Sequence, residues 1–188
     1  MCVFCGSSSG VREQYRAAAA CLGEALARRH LTLVYGGARV GLMCAVADAV
    51  LHAGGQAIGV IPEALVHREI AHDGLTELHV VPSMHERKAL MAESADAFVL
   101  LPGGFGSWEE FFEAITWSHL GIHEKPCGVL NVSNYYEPLL ALVDRAVAEG
   151  FVRDSYRRAI VVADDPESLL DRLARAPALR DIKWTEPL

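Results

Sequence analysis

The sequence predicts a doubly wound α/β domain of the Rossmann-like, three-layer type, with a mainly parallel sheet. Short apolar segments alternate along the chain with longer segments of helical periodicity. Most of the short segments are apolar on both alternating faces, which is typical of buried parallel strands. Glycine or proline stands at several points where a strand passes into a helix. Repeated units of this kind place helices on both faces of one sheet.

The predicted elements follow one another in strand and helix order over most of the chain. The segments expected to be strands are Cys2–Cys5, Leu31–Tyr35, Gln56–Ile61, Leu78–Val81, Ala97–Leu101, Cys127–Leu130 and Ile160–Ala163. The segments expected to be helices are Val11–Arg29, Leu42–Ala53, Met84–Ser94, Trp108–Leu120, Tyr136–Glu149 and Pro166–Ala174. No repeat or linker interrupts them, so residues 1–188 are expected to form one Rossmann-like domain, with no pattern in the tail from about residue 177. The longest stretch of poor periodicity is Pro62–Thr76, and a loop of that length is more often functional than idle.

Composition excludes several classes of partner. The 188 residues carry a formal net charge of −7 and are 52% hydrophobic, which is ample for a substantial core. An acidic balance argues against general binding to nucleic acid or to an anionic membrane, whereas a small phosphate ligand needs only a local cluster of donors. No apolar run approaches the roughly 20 residues of a membrane span, and Met1 leads into an apolar strand without the features of a signal peptide. We therefore expect a cytoplasmic protein.

The cysteines and histidines do not predict a metal site. An odd number of five cysteines, scattered through apolar segments, indicates reduced thiols. Cys2 and Cys5 form a C-x-x-C pattern, but residues three apart on a strand point to opposite faces. His67, His72, His79 and His85 lie in or near the long loop and show no ligand spacing on a predicted helix; they form no expected metal centre.

The most specific motif is the glycine turn Pro102–Glu110, which reads Pro-Gly-Gly-Phe-Gly-Ser-Trp-Glu-Glu and follows the fifth predicted strand. Ligands in doubly wound folds bind beyond the carboxyl ends of the strands. Gly103, Gly104 and Gly106 allow the backbone to turn tightly and approach a ligand closely. Ser107 is predicted to open the next helix, whose first amides favour an anion. The natural ligand of such a turn is a phosphate group.

The glycine turn differs from two common nucleotide-binding motifs and has one purely structural alternative. No Gly-Lys-Ser/Thr follows, so it is not a P-loop, and Glu109 stands where the dinucleotide fingerprint has its third glycine, so NAD is disfavoured. A purely structural alternative is a capping box, in which Ser107 caps the helix and Glu110 returns a hydrogen bond. The upstream glycines favour a ligand site, because a capping box needs none of them.

A basic pair marks a second candidate region. Arg87 and Lys88 interrupt an otherwise apolar helical stripe in Met84–Met91. The structural alternative is that both side chains extend from the helix edge to solvent. The strand Ala97–Leu101 connects this helix to the glycine turn, so the two can share a crevice in which an arginine would offer a planar fork to phosphate or carboxylate. The segments Gly6–Gly10 and Tyr35–Gly37 also follow predicted strands and are expected at the same edge.

With these motifs, the chain closely resembles the LONELY GUY family, the cytokinin riboside 5'-monophosphate phosphoribohydrolases, whose members have often been mislabelled as lysine decarboxylases. The resemblance runs from Cys2 to about Ala163. Its most specific parts are Met84–Met91 and the glycine turn, and further matches are Ile115–Trp117, Leu120–Pro126, Leu130–Val132 and Glu149–Phe151.

The resemblance implies hydrolysis of the N-glycosidic bond of an N6-modified adenosine monophosphate, releasing the free base and ribose 5-phosphate without a cofactor. Arg87 and Glu110 match the pair held to be catalytic. The expected substrate-binding residues are Glu69, Lys88, Gly103, Gly104, Phe105, Gly106, Ser107, Trp108, Glu109 and Thr116. The resemblance also implies a homodimer or an assembly of dimers, with active sites near the subunit interface.

Two positions depart from the family pattern. Ser107 replaces the usual threonine, which preserves a hydroxyl at the predicted N-cap. Cys44 stands where the family usually has glycine, so its thiol adds bulk near a helix start and is expected to affect the base pocket or a helix contact. The preferred base is therefore left open.

The expected chemistry assigns the two charged residues different roles. Cleavage develops positive charge on the ribose C1'–O4' unit, which a carboxylate stabilises. An ionised Glu110 suits that role, or that of a base orienting water, and is a poor general acid. Arg87 does not give up its proton, so the donor to the leaving base is unassigned.

Two alternatives stay open at this point. One is a broader purine or AMP glycosidase, and the other is a non-catalytic carrier of a nucleotide or cofactor that uses the same glycine turn. The presence of both Arg87 and Glu110 argues against the carrier. Lysine decarboxylation is rejected because no lysine stands in a recognisable pyridoxal-phosphate context.

Overall fold

The computed structural model describes residues 1–66 and 71–177 and confirms the doubly wound architecture. Seven parallel strands form one sheet in the order β4-β3-β2-β1-β5-β6-β7. They are β1 (Cys2–Phe4), β2 (Leu33–Tyr35), β3 (Ala57–Pro62), β4 (Glu77–Val81), β5 (Phe98–Leu100), β6 (Cys127–Leu130) and β7 (Ile160–Ala163). Every strand matches one of the predicted apolar segments.

Helices connect the strands and cover both faces of the sheet. They are α1 (Glu13–Arg28), α2 (Gly41–His52), α3 (Glu63–Val66), α4 (Met84–Glu93), α5 (Phe105–His119), α6 (Glu137–Ala148), α7 (Asp154–Ala159) and α8 (Pro166–Arg175). All six predicted helices are present. The sequence did not predict α3, α7 or the 3-10 helix Val132–Asn134, because elements of one or two turns are too short to show an apolar stripe.

The strands divide their side chains between two cores, one on each face of the sheet. Val3 and Cys5 belong to the core under α1, α2 and α8, whereas Cys2 and Phe4 belong to the core under α4, α5 and α6. The expectation that Cys2 and Cys5 point to opposite faces is thus confirmed. Burial raises the pKa of both thiols, and raises that of Cys127 to about 12, so these cysteines are inert core residues.

The strand order creates a switch point between β1 and β5. After β1 the chain proceeds to β2 on one side, and it later returns to the other side of β1 with β5, whose residues Phe98 and Leu100 align with Cys2 and Phe4. The loops that follow β1 and β5 therefore leave adjacent strands in opposite directions and open a crevice. The Gly6 amide donates to the Pro102 carbonyl at 3.0 Å at the base of that crevice.

None of the helices in residues 1–66 and 71–177 combines the length and the apolar character needed to cross a bilayer.

Candidate active site

The crevice at the switch point has a volume of about 310 Å³. Its walls are the Gly6–Gly10 loop after β1, the Pro102–Gly104 segment after β5, and the side chains of Tyr15, Leu42 and Tyr135. The Tyr135 hydroxyl donates to the Gly103 carbonyl at 2.7 Å, which fixes one wall to the other. Two of the segments expected at the carboxyl edge of the sheet therefore form one concave site.

The helix that follows the glycine turn begins earlier than the sequence predicts. Helix α5 begins at Phe105, since the Trp108 amide already donates to the Gly104 carbonyl at 3.0 Å. The capping-box interpretation is therefore wrong: Ser107 lies inside the first turn, and Gly104 is the N-cap, a position that glycine accepts well. No side chain caps the helix, so the amides of its first turn remain available to an anion beside the crevice.

The three glycines of the turn have two different structural roles. A Cβ on Gly104 or Gly106 would meet no atom within 4 Å, so the space above both residues is open to a ligand. A Cβ on Gly103 would lie 2.3 Å from the Ser107 hydroxyl oxygen and 2.9 Å from the Gly6 amide nitrogen. Gly103 is thus required by the internal packing of the turn.

This difference predicts opposite effects of two alanine substitutions on stability. Gly103→Ala is expected to lower the free energy of unfolding by about 1–3 kcal/mol, because a backbone group and a buried hydroxyl must move. Gly106→Ala, inside α5, is expected to leave it unchanged or raise it by about 0.5–1 kcal/mol. Urea unfolding of both variants measures the two values, and an equal loss in both would refute the assigned roles.

Arg87 lies inside the protein at the carboxyl edge of the sheet. Arg87 is only 6% exposed. Its Nε donates to the Val60 carbonyl at 3.0 Å, and its Nη2 donates to the Gly36 carbonyl at 3.1 Å. The alternative in which this side chain extends to solvent is therefore wrong. Two carbonyls from the ends of β3 and β2 fix the guanidinium plane, which lysine could not satisfy in the same way.

Glu110 approaches Arg87 from α5. Its side chain is 11% exposed, and its Oε1 lies 3.8 Å from Nη1 of Arg87. This separation is longer than a direct hydrogen bond, so the contact is one of charge. The structure thus brings together the two residues predicted to be catalytic, from helices that cover the same face of the sheet.

Lys88, by contrast, is engaged by the carboxylates of α5. Its Nζ lies 2.5 Å from Glu109 Oε1 and 3.0 Å from Glu113 Oε1. Burial acts to lower the pKa of Lys88, but the two carboxylates outweigh burial and raise the pKa. Lys88 and Glu109 therefore pair with each other, and neither lines the crevice at the switch point.

The remaining predicted binding residues take different positions. Phe105 is 86% exposed and packs edge-on against Trp108, whose body is partly buried against the core. Thr116 is exposed further along α5, and its hydroxyl donates to the Phe112 carbonyl of the same helix at 2.7 Å. The chain itself does not bring Thr116 to the crevice. Glu69 lies outside the described residues.

Two residues support the site without having been predicted to do so. A Cβ on Gly36 would lie 1.9 Å from Nη2 of Arg87, so only glycine leaves room for the guanidinium there. Two consecutive glycines after a strand were the available signal. Tyr135 could not be predicted to support the site, because nothing in the sequence shows that its hydroxyl reaches the Gly103 carbonyl.

A polar cluster of Cys44, Asp48 and His72 has its potential ligand atoms within 4.8 Å of one another, close enough to hold a metal ion. Its hydrogen bonds indicate otherwise. The Gly74 amide donates to Nδ1 of His72 at 3.1 Å, so the ring proton lies on Nε2, which donates to Asp48 Oδ1 at 3.1 Å. A metal-bound histidine normally donates from its second nitrogen, and here that nitrogen accepts.

Cys44 completes the same cluster rather than entering the crevice. Its thiol donates to Asp48 Oδ2 at 3.1 Å, and burial with this carboxylate raises the pKa of Cys44 to about 11. Burial opposes ionisation of Asp48, but hydrogen bonds from Cys44 and His72 outweigh it and lower the pKa of Asp48. Cys44 thus bonds to a residue of its own helix, and it is not among the residues that line the crevice.

The fold defines a Rossmann-like protein with a crevice at its switch point, and with a buried arginine–glutamate pair that is not part of the crevice lining. A family model described as "Possible lysine decarboxylase" matches residues 43–173. The chain is 54% identical over 169 residues to the cytokinin riboside 5'-monophosphate phosphoribohydrolase of Rhodococcoides fascians, covering 89% of this chain and 85% of the relative. It is 51% identical over 173 residues to a protein of the same name from Arabidopsis thaliana, covering 92% and 80%. The chain belongs to the LONELY GUY family of cytokinin riboside 5'-monophosphate phosphoribohydrolases.

Solved structures of more distant proteins share the fold. A molybdenum cofactor binding protein from Rippkaea orientalis superposes with a TM-score of 0.71 at 20% identity, covering 93% of this chain and 94% of that one. The molybdenum cofactor carrier protein of Chlamydomonas reinhardtii gives a TM-score of 0.70 at 20% identity, covering 93% and 95%. At this identity the similarity concerns the fold alone.

Proposed function

We propose that this chain hydrolyses the N-glycosidic bond of cytokinin riboside 5'-monophosphates, which are N6-modified adenosine 5'-monophosphates. The products are the free base and ribose 5-phosphate. The observation that carries this function is the buried pair of Arg87 and Glu110, 3.8 Å apart. Glu110 lies on α5, whose N-cap Gly104 lines the crevice and makes no side-chain cap. Relatives of that name, at more than 50% identity over most of the chain, support the same activity.

The glycine turn supplies the recognition of the 5'-phosphate. The first-turn amides of α5 and the positive end of its dipole favour a dianionic group. The open space above Gly104 and Gly106 lets that group approach the backbone closely. A nucleoside without the phosphate would leave these donors unused, so the phosphate supplies much of the binding free energy.

The charged pair supplies the chemistry. As the bond from C1' to the base nitrogen breaks, positive charge grows on the ribose, and the Glu110 carboxylate stabilises it or orients the attacking water. Water contributes its hydroxyl to C1' and a proton to the base. Arg87 keeps its proton, places its positive charge 3.8 Å from the Glu110 carboxylate, and is itself held by two backbone carbonyls. Such preorganised charge costs no rearrangement during the reaction.

The proposed enzyme works as a homodimer or an assembly of dimers. Phe105, Trp108, Phe112 and Thr116 fall at spacings of three and four residues and so share one face of α5. Phe105 is 86% exposed and Phe112 is 37% exposed. An exposed aromatic stripe of this kind is typical of an interaction surface. Because the stripe begins at the glycine turn, an interface formed by it adjoins the site.

Phe112→Glu is expected to dissociate that dimer, because a charge would be buried without a partner in the interface. Size-exclusion chromatography with light scattering measures the mass of the wild type and the variant. Val11→Glu, at a residue that is 99% exposed, is the matched control and should leave the mass unchanged. A dimer that persists in Phe112→Glu would place the interface elsewhere.

The proposed compartment is the cytoplasm. All five cysteines are free thiols, and four of them lie at buried or half-buried positions. Unpaired cysteines in this number are typical of a reducing compartment.

The test of the activity is a product assay with two substrates. Isopentenyladenosine 5'-monophosphate and AMP are incubated separately with the protein, and both the free base and ribose 5-phosphate are quantified. Equal amounts of the two products from the modified nucleotide are expected, with a higher kcat/KM than for AMP. Comparable values for AMP would establish the broader purine glycosidase instead. Binding without either product would establish a carrier.

A further inference from the structure

Buried His72 ties together three segments that are distant in sequence. Its backbone amide donates to the Gly37 carbonyl at 2.9 Å, in the turn that follows β2. Its ring accepts from the Gly74 amide and donates to Asp48 of α2, both at 3.1 Å. The residue is 4% exposed, whereas the side chain of its partner Asp48 is 44% exposed, so the bonds of the ring are partly shielded from water. His72 thereby fixes the turn after β2, the segment before β4 and the outer side of α2 relative to one another.

The turn that His72 contacts also accepts a hydrogen bond from Arg87. The Gly36 carbonyl accepts from Nη2 of Arg87 at 3.1 Å, and a Cβ on Gly36 would lie 1.9 Å from that nitrogen. Gly37, the acceptor for the His72 amide, has a φ of +75°, which only glycine adopts readily. Because the Gly36 carbonyl is one of the two backbone acceptors of the guanidinium, a displacement of this turn would move the guanidinium or lengthen that bond.

An antiparallel bridge between Ala38 and Ala71 and an ion pair between Arg39 and Asp73 continue the same contact toward solvent. The ion pair is largely exposed and contributes little, since such pairs are worth about 0–1 kcal/mol. The buried ring of His72, which is hydrogen-bonded to Asp48, is therefore the part of this contact that can fix the turn after β2 relative to α2.

We propose that His72 is a positioning residue for Arg87, acting through the Gly36–Gly37 turn with Asp48 as its anchor. This role rests on the hydrolase activity proposed above, in which Arg87 is catalytic. His72 does not line the crevice, and its hydrogen bonds go to Gly37, Gly74 and Asp48. Its predicted effect on catalysis therefore depends wholly on Arg87.

Two substitutions separate the bonds of the ring. Gln places an amide donor near the position of Nε2 and keeps the bond to Asp48, whereas Asn mimics Nδ1 and keeps only the bond to Gly74. His72→Asn is expected to lower kcat/KM about tenfold, since small misplacements of a catalytic group can cost up to about a hundredfold. His72→Gln is expected to retain activity within about threefold, and Asp48→Ala to resemble His72→Asn.

A double-mutant cycle distinguishes positioning from general destabilisation. In an Arg87→Lys background, His72→Asn is expected to change kcat/KM less than twofold, because the group it positions is gone. A residue that only stabilises the fold would cost the same factor in both backgrounds. Equal factors would therefore overturn the proposal.

A second readout does not depend on turnover. The Nε–H resonance of Arg87, assigned by its loss in Arg87→Lys, reports the bond to the Val60 carbonyl. Its hydrogen exchange, measured relative to the core amide of Leu100, is expected to accelerate at least tenfold in His72→Asn and Asp48→Ala but not in His72→Gln. Unchanged exchange in His72→Asn would overturn the positioning role. If the variants show this pattern of exchange but the wild type hydrolyses no nucleotide, the proposed function fails and the positioning role stands.

Discussion

Glu110→Gln is expected to lower kcat about 10³-fold while nucleotide binding changes little. The substitution keeps the size and shape of a side chain that is 11% exposed, so the fold should tolerate it. It removes the negative charge that would face the developing oxocarbenium ion, and removal of a single preorganised electrostatic group typically costs about 10²–10³ in kcat. Single-turnover kinetics with isopentenyladenosine 5'-monophosphate measure the chemical step directly.

The matched control is Glu149→Gln, an exposed carboxylate at the end of α6 whose partner is Arg145. The same chemical change there should leave kcat within about twofold, since exposed ion pairs contribute little. Nucleotide dissociation constants for Glu110→Gln show whether binding survives. Turnover of Glu110→Gln at the wild-type rate would remove Glu110 from the chemistry.

Arg87→Ala is expected to impair both turnover and stability. It removes the donor that the Gly36 and Val60 carbonyls share, and it removes the positive charge 3.8 Å from the Glu110 carboxylate. Breaking a buried charge pair on one side typically costs about 3–5 kcal/mol, which is a large share of the stability of a domain. Folded Arg87→Ala is expected to lose about 10²–10³ in kcat/KM.

If the Arg87→Ala variant does not fold, Arg87→Lys tests the catalytic role of Arg87 instead. Lysine retains the charge, but its single ammonium cannot reproduce the fork that reaches two carbonyls at once. We expect its kcat/KM to fall about a hundredfold with a smaller loss of stability, because the guanidinium geometry, and not charge alone, orients the pair. Wild-type kinetics in the purified, folded lysine variant would show that the fork has no catalytic part.

The fold could be predicted because each strand and each long helix carries its own periodicity. Strands β1 and β5 carry apolar side chains on both faces and contribute to both cores. Strands of this kind are typical of a parallel sheet that is covered by helices on both sides. The start of α5 could not be placed, because Ser107 offers a familiar capping pattern while Gly104 caps without any side chain. Which of these two starts the helix is decided by backbone conformation, which the sequence does not display.

The sequence predicted that Arg87 and Glu110 act as a pair, and the structure places them 3.8 Å apart, but the contacts that orient Arg87 could not be predicted. The helical stripe of Met84–Met91 does not reveal which neighbour Arg87 faces, because its acceptors are the backbone carbonyls of Gly36 and Val60, and a backbone carbonyl has no sequence signature. The cluster around His72 was missed for a similar reason. Its members come from α2 and from the segment before β4, so they share no spacing within one element.

The most direct test of the central claim compares one substrate with and without its phosphate. The kcat/KM for isopentenyladenosine 5'-monophosphate is measured beside that for the unphosphorylated riboside, with the free base as the product in both cases. If the amides of the glycine turn bind the 5'-phosphate in the reacting complex, the monophosphate should be favoured by at least about 10³-fold, the effect of a few charge-assisted hydrogen bonds. Similar values for the two substrates would contradict the assignment of the glycine turn as the phosphate site.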